Sequence, residues 1–121
     1  MSAEIVDTAG GILTVRINGK LTYPELCAAQ KSVAEILQRQ SRMRILVLAE
    51  GFQGWERESD WGDISFQLEN DPFIEKMAVV GEREWEDLVT LFAGKVFREF
   101  PIEYFQPADL TMARAWLAAN P

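Results

Sequence analysis

The sequence predicts an α/β fold: an N-terminal hairpin, then alternating helices and strands that close into a largely parallel, mixed sheet with packed helices. Three observations carry this. Ile45–Ala49 and Met77–Val80 are apolar at every position, as strands covered on both faces are in parallel sheets. Leu13, Val15 and Ile17 alternate with Thr14, Arg16 and Asn18, the period of a strand with one buried face. Between and after these segments the apolar residues recur at helical spacing. The resulting order, β-β-α-β-α-β-α-β-α, favours right-handed crossovers and parallel pairing.

Each element has its own signal. Glu4–Thr8 and Ile12–Asn18 read as the two strands of the hairpin, joined through Ala9-Gly10-Gly11, where glycine accepts positive φ. Thr22-Tyr23-Pro24-Glu25 is a capping box, with Pro24 in the first turn and Leu21 and Leu26 spaced as a hydrophobic staple. Leu26, Ala29, Val33, Ile36 and Leu37 form the stripe of the helix that follows, which should run to about Gln40. Arg39 and Arg42 near its end complement the helix dipole. Arg44–Glu50 is the first buried strand, Gly51–Trp55 a loop, and Ser59 or Asp60 caps a helix with Trp61, Ile64 and Leu68 on one face. Asp71-Pro72 ends that helix. Lys76–Gly81 is the second buried strand. The spacing of Trp85, Leu88, Val89, Phe92, Val96 and Phe97 predicts a helix over Glu84–Phe97, Ile102–Phe105 a short edge strand, and a last helix from Pro107 docked through Ala113, Trp116 and Leu117.

Length and composition narrow the function. The 121 residues fit one domain, 1–121, with a continuous core. With 19 Asp and Glu against 12 Lys and Arg, the net charge of −7 repels phosphate backbones and anionic headgroups, so no nucleic-acid partner is expected, and the apolar runs are only a few residues long, so no stable membrane insertion is expected either. There is no histidine, which removes the usual general base and the commonest metal ligand. The single cysteine, Cys27, suits a reducing compartment, and the N-terminus shows no basic segment followed by an apolar run. A cytoplasmic protein is expected, with no cofactor, no metal and no catalytic residues.

Four features are weighed as sites. Glu56, Glu58, Asp60 and Asp63 could serve acid–base chemistry or hold a cation, but their spacing matches no calcium loop, and carboxylates near a helix start are favoured by the dipole anyway. Gly51-Phe52-Gln53-Gly54 and Gly81-Glu82 follow buried strands, where α/β sheets place ligands, yet neither is a phosphate-binding fingerprint. Cys27 lies one residue past Leu26, off the main stripe, and reads as a small, partly buried filler. The aromatic residues Phe52, Trp55, Trp61, Phe66 and Trp85 cluster in the middle of the chain; they either fill the core or line an apolar cleft or contact surface at the strand C-terminal edge.

The order of elements, the stretch Gly51–Trp61, Met77-Ala78-Val79-Val80-Gly81 followed by Trp85, and the closing Ala113-Arg114-Ala115-Trp116-Leu117 together resemble the SpoIIAA-like family. These are small bacterial proteins related to STAS domains, the anti-sigma-factor antagonist fold. The resemblance covers almost the whole chain. It implies a superhelix of successive β-α turns, shared in outline with lipid-carrying CRAL-TRIO-type domains, and no established activity. STAS antagonists carry a phosphorylatable serine in a turn after the central strand. Here Glu50-Gly51-Phe52-Gln53-Gly54-Trp55 stands in that place, with no serine before Ser59, so the resemblance does not extend to that switch.

The expectation is therefore a non-enzymatic binding or regulatory module. Its partner would be a small apolar ligand or a protein, bound through Phe52, Trp55, Trp61, Phe66 and Trp85. The alternatives are a carboxylate-based or metal-dependent enzyme using residues 56–63, or a mainly structural homo-oligomer such as a homodimer, whose interface would cover part of the sheet.

Overall fold

A computed structural model describes residues 3–8, 11–40, 43–55, 71–87 and 100–119. Among them five strands form one sheet: β1 (Ala3–Asp7), β2 (Ile12–Leu21), β3 (Met43–Trp55), β4 (Ile74–Gly81) and β5 (Ile102–Phe105), in the spatial order β1-β2-β3-β4-β5. β1 is antiparallel to β2, and the remaining three pairings are parallel. The expected mostly parallel α/β sheet is what forms, and each strand lies beside its neighbour in sequence.

Among the described residues two helices cover opposite faces. α1 (Tyr23–Gln40) lies over Leu13, Val15, Met43, Ile45 and Val79, meeting them with Val33 and Leu37. α2 (Leu110–Ala118), entered through a 3₁₀ turn at Pro107–Asp109, packs Ala113 and Leu117 onto Leu46, Leu48, Ala78 and Val80. β3 therefore presents odd positions to α1 and even positions to α2, which is why every residue of Ile45–Ala49 is apolar. α1 begins where the capping box requires: the Glu25 amide donates to Thr22 Oγ1 at 3.4 Å. Near its other end the Arg39 side chain donates to the Glu35 carbonyl.

Several boundaries differ from the sequence reading. Gly51–Trp55 is not a loop: β3 runs on through it, and β2 runs on to Leu21 beside it, with Gly19 opposite Phe52 and Leu21 opposite Trp55. The pairing shifts register at these points, and Gly19, Gly51 and Gly54 have φ of 60°, 61° and 95°. The glycines let irregular strands continue rather than turn. The last helix proper starts at Leu110, the proline-led turn preceding it. Cys27 is exposed rather than partly buried, because it sits beside the stripe and not on it. The readings that fall on 56–70 (the acidic stretch, the Ser59 cap, Trp61 and Phe66) and on 88–99 lie outside the described residues. No helix among the described residues is long and apolar enough to cross a membrane.

Candidate functional site

The C-terminal ends of β3 and β4 carry most of the chemistry, and the two faces of the sheet differ there. On the α1 face, Phe52 is buried and meets the half-buried Trp85 edge to face, with ring centroids 5.1 Å apart and planes at 68°. Ala3, Ala49, Ile17, Leu26 and Ala29 complete this cluster. The Trp85 indole lies close against Gly54: a Cβ there would stand 3.3 Å from its ring. Phe52 and Trp85 are thus brought together. Trp55 closes β3, so its backbone is at the same edge, while Trp61 and Phe66 fall in 56–70.

On the α2 face the same strand ends leave a recess of about 250 Å³. Leu48, Ala49 and Gly51 of β3, Val80 of β4, Glu82 just beyond it, and Pro107 and Leu110 at the start of α2 line it. Ala49 belongs both to this lining and to the Phe52–Trp85 cluster, so one small side chain separates the recess from the aromatic pair.

Tyr104, on the neighbouring strand β5, holds the backbone just past β4. Its hydroxyl donates to the Glu82 carbonyl at 2.7 Å, and the same carbonyl accepts the Trp85 amide at 3.1 Å. Gly81 makes room for the phenol: a Cβ at this position would lie 2.5 Å from Tyr104 Oη and 3.2 Å from Ala49 Cβ. Burial, then the negative charges of Glu86 and Glu82, push the Tyr104 hydroxyl up to about 12. The phenol is a hydrogen-bond donor at neutral pH.

The opposite end of the strands holds a second polar cluster that the sequence reading did not single out. Arg44 and Lys76 are register partners on β3 and β4 and reach the C-terminus of α2 together. Lys76 Nζ donates to the carbonyls of Trp116 (2.8 Å) and Ala119 (2.9 Å) and stands 4.8 Å from the Trp116 ring centroid. Arg44 Nη1 donates to the carbonyls of Leu117 and Ala119, and its other arm is 3.9 Å from Glu75. Two cations thus complete the last carbonyls of a helix, where the dipole favours positive charge. Their signal in the sequence is slight, a basic residue just before each apolar run. The recess itself was signalled only in that Gly51 and Glu82 follow the buried strands; Tyr104 and Leu110 gave no sign of it.

These features define the class: a small α/β protein built on a mostly parallel sheet, of the SpoIIAA and STAS kind. The SpoIIAA-like family model matches residues 12–118, and the chain belongs to that family. Among solved structures it is similar to an uncharacterized protein from the DUF3478 family with a SpoIIAA-like fold from Shewanella loihica PV-4. The two are 19% identical with a TM-score of 0.64 over 95% of this chain and 91% of the other, a likeness of fold. No curated protein matches the chain. In general terms a SpoIIAA-like fold suggests a binding or regulatory module.

Proposed function

We propose that this protein is a non-enzymatic binding module that takes a small apolar ligand in the recess at the C-terminal edge of its sheet. The observation that supports this is the recess itself, about 250 Å³ and lined by Leu48, Ala49, Val80, Pro107 and Leu110. A dry cavity of ~150 Å³ accepts benzene, and pockets for drug-sized molecules begin near ~300 Å³, so the occupant is a small molecule with one ring or a short chain. Phe52 and Trp85 adjoin the recess through Ala49, which belongs to both. Phe52 is only 8% exposed, which favours a ligand in the neighbouring recess over a partner protein anchored on the aromatic pair.

The test uses 2-phenylethanol as a neutral probe, followed through the methyl NMR signals of Leu48, Val80 and Leu110. About nine heavy atoms at roughly 0.4 kcal/mol each give a Kd in the low-millimolar range. Saturable shifts at these methyls, abolished by Leu110→Trp, are expected. Absence of saturable shifts at all three methyls refutes the reading. Native mass spectrometry of freshly purified protein then reports any small molecule carried through purification.

A further inference from the structure

We infer that the recess selects a positively charged head: its preferred occupant is a small apolar amine, not a carboxylate. The inference rests on the recess being the ligand site and adds the charge of what enters it.

Three features of the structure argue for this. Among the described residues the one ionisable side chain in the lining is Glu82, an exposed residue just beyond β4, and it makes no capping hydrogen bond to the 3₁₀ turn it precedes. Among the described residues no cation lines the recess: Arg83 and Arg114 are not part of its wall, and Arg44 and Lys76 hold the α2 carbonyls at the other end of the strands. The start of α2 offers little to an anion. Pro107 has no N–H, the Asp109 amide donates to the Gln106 carbonyl, the Leu110 amide donates to the Pro107 carbonyl, and Asp109 adds a carboxylate. A carboxylate head would meet the charge of Glu82 with no cation among the described lining residues to offset it. An ammonium would meet an acidic rim, while its ring or chain replaced water against Leu48, Val80 and Leu110.

Three probes of one shape separate the possibilities: 2-phenylethylamine, 2-phenylethanol and phenylacetate, each titrated against the whole protein and read through the same methyl signals. The amine should bind about two- to fivefold more tightly than the alcohol, the range of a partly exposed charge pair, and phenylacetate more weakly than either. Glu82→Gln should bring the amine down to the alcohol while leaving the alcohol unchanged, and added salt should shrink the amine's lead. If the alcohol binds but the amine has no lead, or keeps it in Glu82→Gln, the charge selection is wrong and the apolar site stands. If phenylacetate binds best, the selection is likewise overturned. If none of the three binds, both readings fall together.

Discussion

Replacing Lys76 by methionine removes an ammonium group while keeping an unbranched stem of similar length. Lys76 is only 4% exposed, so its charge is held almost wholly by the α2 carbonyls and the Trp116 ring. Without it the Ala119 carbonyl keeps Arg44 as donor at 2.8 Å, but the Trp116 carbonyl loses the Lys76 bond. A buried acceptor left short costs about 1–3 kcal/mol, and a desolvated cation–π contact adds about 1–2 kcal/mol. Against this, the variant no longer strips water from an ammonium, which returns about 1–3 kcal/mol of that. The balance is a loss of about 1–2 kcal/mol for Lys76→Met. Lys76→Ala also removes three methylenes from the packing at ~0.8 kcal/mol each, taking the loss to about 3–4 kcal/mol. Urea unfolding followed by far-UV circular dichroism reads this as a midpoint lowered by roughly 1 M for methionine, with an unchanged slope. A methionine variant as stable as the parent would refute the reasoning, because desolvation would then outweigh the grip. A cycle with Arg44→Met should show coupling of about 0.5 kcal/mol or more, since both cations share the Ala119 carbonyl.

Three further outcomes follow from the same geometry. Because the Tyr104 hydroxyl ionises near 12 when folded and near the ordinary 10 when unfolded, the stability it contributes is complete below pH 10 and is lost as pH rises toward 12; stability curves and phenolate absorbance should show this decline in the parent and not in Tyr104→Phe. Gly81→Ala should cost about 1–3 kcal/mol in urea unfolding, partly recovered in combination with Tyr104→Phe, because the added Cβ falls 2.5 Å from the phenol oxygen. Thr22→Ala should lower Tm by roughly 2–4 °C in a thermal melt, the effect of a lost N-cap worth about 0.5–1 kcal/mol with a long 3.4 Å bond.

The parts of the fold that were legible in the sequence are those set by local chemistry. Thr22 and Glu25 fix the start of α1 because the cap is formed within four residues, and Leu13, Val15 and Ile17 mark β2 because a pleated strand repeats every second residue. Gly51 and Gly54 misled because glycine signals backbone freedom, and the same freedom serves a turn or an irregular strand; only the partner, β2, decides between them. The candidate site was less legible. Phe52 and Trp85 could be named as aromatic residues near strand ends, but the recess forms only when Leu110, from an element that follows, is set beside Leu48 and Val80. Lys76 looked like a boundary residue for a similar reason, its partners lying 40 and 43 positions further along.

That separation has a consequence for a chain emerging from the ribosome. β3 and β4 are complete well before Ala119 is added, and during that interval Arg44 and Lys76 lie side by side with the helix end they hold not yet made. At ~5–20 residues per second the wait lasts roughly 2–8 s, during which the face of Leu46, Leu48, Ala78 and Val80 that α2 will cover is open to chaperones and to other nascent strands. The final turn of α2 is thus the bolt that shuts the sheet, and early release of the nascent protein would leave that face bare.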